Sequence, residues 1–88
     1  REPIRLADRI SALMDELASA RQLSFRSLIS RAESRIEVIV DFMAVLELIK
    51  ARFLEARQDT AFGEIELVRL DDGPTPTAED IEAAIDGP

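Results

Sequence analysis

The stretch from Arg35 to Leu70 constrains this chain most. Arg35–Lys50 reads as a helix, opened by Ser34-Arg35-Ile36-Glu37, a capping box in which the serine oxygen accepts an amide hydrogen three residues on and the glutamate reaches back. On a helical wheel Val38, Ile39, Phe42, Met43, Val45, Leu46 and Ile49 cover nearly half the circumference, and Ile36, Val40 and Leu48 fall outside that arc. A surface helix ordinarily shows a narrower apolar stripe. This helix is therefore either central to its own domain or touches something on a second side. Two segments of strand character follow, Phe53–Gln58 and Glu64–Leu70, with Ile65 and Leu67 alternating with Glu64 and Glu66. Asp59-Thr60-Ala61-Phe62-Gly63 between them suits a hairpin loop, with Gly63 expected to supply a positive φ.

Upstream, Pro3–Ala20 reads as an amphipathic helix with an apolar stripe of Leu6, Ile10, Leu13, Leu17 and Ala20, and Pro3 suits its first turn. Leu23 and Phe25 alternate around Ser24, as in a very short strand, and Ser24 is placed to cap a short helix, Phe25–Arg31. The order is helix, short strand, helix, helix, strand, strand. That is the winged helix-turn-helix order, so the expected class is α+β: three helices plus a two- to three-stranded wing sheet. Leu6, Ile10, Leu13, Leu17, Leu28, Phe42, Leu46, Ile49 and Ile65 are the expected core. The domain is expected over residues 1–70, with residues 71–88 an acidic, disordered tail in which Thr77-Ala78-Glu79-Asp80 is placed to cap a helical turn bearing Ile81 and Ile85.

Composition narrows the function. The 88 residues suffice for one small domain, and a start at Arg1 without methionine reads as a fragment of something longer. No apolar run is long enough to span a bilayer. The chain has no cysteine, histidine, tryptophan or tyrosine. It therefore lacks the usual general base near neutral pH, a thiol nucleophile and a zinc ligand set. No catalytic residue, cofactor site or metal site is expected, and the chain reads as a non-enzyme. Net charge is −7, and six of the eighteen acidic residues, Asp71, Asp72, Glu79, Asp80, Glu82 and Asp86, lie in the last eighteen positions. The acidity belongs mainly to the tail.

A winged helix that reads DNA places basic or amide side chains on its third helix. Here that helix carries Glu37, Asp41 and Glu47, with Arg35 and Lys50 only at its ends. Carboxylates turned toward phosphates repel them and forfeit counterion release. Arg21, Arg26, Arg31 and Arg35 form one basic cluster, read as a solvated face.

Asp41-Phe42-Met43-Ala44-Val45-Leu46-Glu47-Leu48-Ile49-Lys50, then Gln58, then Phe62-Gly63-Glu64-Ile65-Glu66-Leu67, together with Leu23-Ser24-Phe25, resembles the C-terminal winged-helix domain of the bacterial kleisins, the segregation and condensation protein A (ScpA) family. The resemblance spans about residues 4–70. Asp41 departs from it, standing where the family often has a small or hydroxyl residue, as does Met43 in place of leucine. The Gly73-Pro74-Thr75-Pro76 linker and the acidic end lie outside it. What it implies is a non-catalytic, cytoplasmic and nucleoid-associated module that binds the ATPase head of an SMC protein in chromosome condensation and segregation. The accessory protein ScpB would bind elsewhere on the longer chain, and DNA would be met only through the complex.

The candidate partner-binding residues are Ile36, Ile39, Val40, Phe42, Met43, Leu46, Phe62 and Ile65. Within that set a stripe at helical spacing is ordinarily core, which places Phe42 inside; Ile36, Val40 and Leu48, off the main arc, are the positions expected to face outward. The alternatives are a winged-helix DNA-binding regulator and a homodimerisation domain.

Overall fold

The computed structural model describes residues 3–70 together with Thr77, Glu79, Asp80 and Ala83. The elements run α1 (Leu6–Ala20), β1 (Gln22–Ser24), α2 (Phe25–Ser30), α3 (Arg35–Lys50), β2 (Leu54–Arg57) and β3 (Glu66–Arg69). This is the expected α+β order. The antiparallel sheet has β3 in the middle, with β1 and β2 at its edges. Leu23 lies opposite Leu67, which in turn lies opposite Ala56, so one row of apolar side chains runs across the sheet toward the helices.

Two serine caps set the helix starts. Ser24 Oγ accepts from Ser27 N at 3.2 Å and Ser34 Oγ from Glu37 N at 3.1 Å. α1 begins later than expected, at Leu6. Pro3 precedes it, and Arg5 stands at the N-cap without a side-chain cap bond. Helix α1 ends in a left-handed residue, Arg21 (φ 70°), whose amide donates to Leu17 O at 3.0 Å. The strands are shorter than their sequence patterns, because pairing runs only over Leu54–Arg57 and Glu66–Arg69. At the hairpin Phe62, not Gly63, has the positive φ (62°). Glycine is needed at 63 because a Cβ there would collide with the Thr60 side chain and stand 3.0 Å from the Thr60 carbonyl oxygen.

The core joins Ile10, Leu13 and Leu17 of α1, Leu28 of α2, Ala44, Val45 and Leu48 of α3, and Phe53, Leu54 and Leu67 of the sheet side. Burying a side chain of this size contributes about 1.5–3 kcal/mol. Leu6, Ile49 and Ile65 pack against this core half-buried, and Ala20, expected in the α1 stripe, is exposed. Arg69 caps the sheet end with its guanidinium 4.6 Å from the centroid of the Phe53 ring.

Three expectations for α3 are corrected. Phe42 and Leu46, placed in the core from sequence, are exposed, and Leu48, expected to face outward, is completely buried. The buried set is Asp41, Ala44, Val45 and Leu48, one stripe at steps of three and four. Its polar member decides the matter. Asp41 is 2 % exposed, and its Oδ1 accepts from Arg9 Nε of α1 at 2.6 Å. Arg9 keeps about a third of its side chain in solvent, and the Asp41 carboxylate raises its already high pKa.

Beyond Leu70, Thr77 and Asp80 exchange hydrogen bonds: Thr77 N donates to Asp80 Oδ2 at 3.1 Å, and Asp80 N to Thr77 Oγ1 at 3.0 Å. The bonds from Thr77 hold the Asp80 carboxyl below the usual range. Asp71 to Pro76, Ile81 and Ile85 lie outside the described residues.

The ion pair yields an asymmetric prediction. Arg9→Ala leaves a buried carboxylate uncompensated and is expected to cost about 3–5 kcal/mol in urea unfolding. Asp41→Ala leaves an arginine that can turn to water and should cost less, and Arg9→Met with Asp41→Leu should recover most of the loss.

Candidate functional site

The rotation that buries Asp41, Ala44, Val45 and Leu48 turns the other side of α3 outward. Ile36 (59 % exposed), Ile39, Phe42, Met43 and Leu46 are all large, apolar and exposed. At about 100° per residue these five centre on the side of the helix opposite the buried stripe. Contiguous exposed apolar surface of this kind on a small domain marks an interaction site more often than an accident of composition.

The face continues toward the sheet. The Phe42 ring meets Phe25 edge-on, with centroids 6.1 Å apart. A shallow recess of about 180 Å³ lies between Phe42, Leu46 and Ile49 of α3 and Ala56, Ile65 and Leu67 of the hairpin, with Phe25 at its edge. A larger one of about 370 Å³ lies between α2 (Phe25, Arg26, Ile29) and Gly63, Glu64 and Ile65. Phe25 and Ile65 line both, so the apolar surface runs unbroken from α3 to the foot of the hairpin.

Six of the eight residues singled out from sequence, Ile36, Ile39, Phe42, Met43, Leu46 and Phe62, are exposed; Val40 and Ile65 are half-buried. The five on α3 share one face and Ile65 adjoins it, whereas Val40 sits off it and Phe62 stands alone at the hairpin tip, fully exposed. The sequence reading missed Phe25, which joins the two recesses. It also treated Asp41 as part of an acidic surface, whereas that carboxylate is buried against α1.

Charge on α3 is largely taken up internally. Glu47 pairs with Lys50 at 3.2 Å, and in the basic cluster Arg31 pairs with Glu16 at 3.1 Å. Among the described residues there is no group of three or more acidic, histidine or cysteine side chains placed to hold a metal ion, and no helix long and apolar enough to cross a membrane.

No family model matches the chain. Curated proteins do. It is 35 % identical over 65 residues to segregation and condensation protein A of Caldanaerobacter subterraneus subsp. tengcongensis, covering 74 % of this chain and 26 % of that protein. It is 36 % identical over 66 residues to the protein of the same name from Clostridium perfringens strain SM101, covering 75 % and 27 %. The Myxococcus xanthus protein of that name is 36 % identical over 70 residues, covering 77 % and 24 %.

The chain belongs to the segregation and condensation protein A family. It spans about a quarter of the length of the curated relatives it matches. That family membership agrees with the resemblance carried by Phe42–Lys50 and Phe62–Leu67, the elements that here form the exposed face and the hairpin.

The two faces of α3 separate by mutation. Leu48→Ala should cost about 2–5 kcal/mol through the cavity it leaves. Leu46→Ala, two residues earlier and 43 % exposed, should cost about 1 kcal/mol or less in the same urea titration.

Proposed function

We propose that this chain is the part of a kleisin that docks on the ATPase head of an SMC protein, with no catalytic step of its own. The observation that carries this reading is the exposed face of Ile36, Ile39, Phe42, Met43 and Leu46, on the side of α3 turned away from the core. Membership of a family named for chromosome segregation and condensation supplies the setting. The work would be done in the cytoplasm beside the chromosome, with ScpB held by the rest of a longer chain and DNA met through the assembled complex.

Geometry supports a protein partner over a nucleic acid. Reading a major groove requires donors and acceptors aimed at base edges. The outward face of α3 offers isoleucine, phenylalanine, methionine and leucine instead, with Arg35 and Lys50 at its two ends. The edge strands β1 and β2 leave main-chain groups at the sides of the sheet, where a partner strand can pair. Val40, half-buried and off the face, is a poorer contact than Ile39 or Met43.

Titration calorimetry against a purified SMC head tests the proposal. Ile39→Arg is expected to weaken binding by about 30-fold or more, the effect of losing one central apolar anchor. Its circular dichroism and melting should match the unsubstituted chain, because Ile39 is exposed. Absence of binding by the unsubstituted chain, or normal binding by folded Ile39→Arg, contradicts the proposal. A concentration-dependent dimer in sedimentation, abolished by Ile39→Arg, would instead assign the face to self-association. The chain alone should show no sub-micromolar binding to duplex DNA at physiological salt.

A further inference from the structure

The hairpin tip holds a bulky side chain in a backbone conformation that favours glycine. Phe62 has a φ of 62°, in the left-handed region, where its Cβ crowds the following carbonyl. Glycine takes this conformation freely. The ring is fully exposed, so no burial within the domain offsets the strain.

The tip is nonetheless braced. Gln58 Nε2 donates to Gly63 O at 2.9 Å, and Gly63 N donates to Thr60 O at 3.0 Å. Its base is tied to the start of α2: Ser24 Oγ donates to Glu64 while accepting from Ser27 N, and Phe25 N donates to Ile65 O at 2.9 Å. Phe62 is therefore presented on a supported loop. Strain held in place by its surroundings, with no return in packing, points to a role outside the domain. A large ring with few rotatable bonds is the kind of side chain that anchors protein interfaces.

We propose that Phe62 is a preorganised anchor that enters an apolar pocket on the same partner that covers the exposed face of α3. This rests on the docking proposal above and adds a second point of attachment to it. The apolar surface supports the link. It runs from Phe42 and Leu46 through Phe25 and Ile65 to the recess at the foot of the tip, so a partner seated on α3 reaches the hairpin.

The test uses the full 88-residue chain with Phe62→Gly and, as a second variant, Phe62→Asn, since both residues tolerate a positive φ. The expected result is a melting temperature equal to or above that of the unsubstituted chain, with affinity for the SMC head lower by about 30-fold. If both variants melt well below the unsubstituted chain, the ring serves the fold and the anchor is overturned. If they bind as tightly as the unsubstituted chain while Ile39→Arg does not, the docking proposal stands and the anchor falls. If the unsubstituted chain does not bind the head, both fall.

Discussion

The arrangement turns on one ion pair, Arg9 to Asp41. Helix α3 is apolar on nearly every side, so hydrophobicity by itself gives little preference for which side faces inward. A buried carboxylate does. Leaving it unpaired is costly, and among the described residues its partner is Arg9 of α1, so the favoured rotation brings Asp41 to that guanidinium. The other carboxylate oxygen, Oδ2, is buried with no protein donor among the described residues. Desolvating two charged groups offsets much of their mutual attraction, so the pair counts more for specifying the packing than for stability. Ala44, one turn on and fully buried, lies on the same stripe and brings little side-chain bulk to the interface with α1.

Once that rotation is fixed, the rest of α3 follows from helix geometry. Val45 and Leu48 join the core, and five large apolar side chains are left outside. Among the described residues no further element lies over them. Phe25 and Ile65 extend the same surface to the hairpin, whose central strand is held on both sides by β1 and β2. An apolar face on a rigid helix, beside a braced hairpin, suits a partner that binds without reshaping the domain, and the ordering cost of binding is correspondingly small.

Much of the architecture was legible in the sequence. The Ser24 and Ser34 caps, the Ile10, Leu13 and Leu17 stripe of α1 and the inward Leu67 mark elements that depend on local chemistry and are found in place, whereas Ala20 is exposed and Ile65 precedes β3. The orientation of α3 was not legible from apolar size. Phe42 and Leu46 outweigh Ala44 and Val45 on a wheel, and a charged residue is ordinarily taken to be outside. The partner that overturns this lies 32 residues upstream on another helix. One signal was present: Asp41 replaces a small or hydroxyl residue in the middle of an apolar helix, at steps of three, four and seven from Ala44, Val45 and Leu48. The strain at Phe62 was hidden for a related reason, since a Phe-Gly pair reads as glycine taking the unusual φ, and only the crowding by Thr60 shows that glycine is there for space.

The side of α3 opposite the Asp41 stripe is the surface proposed to receive a partner. Methyl-resolved NMR of the chain with a purified SMC head tests it directly, because both sides of the helix carry methyl groups. Ile36, Ile39, Met43 and Leu46 signals are expected to shift or broaden on addition of the head, while those of Leu17 and Leu48 stay in place. Unchanged signals from all four, or shifts confined to α1 and the solvent face of the sheet, would contradict it.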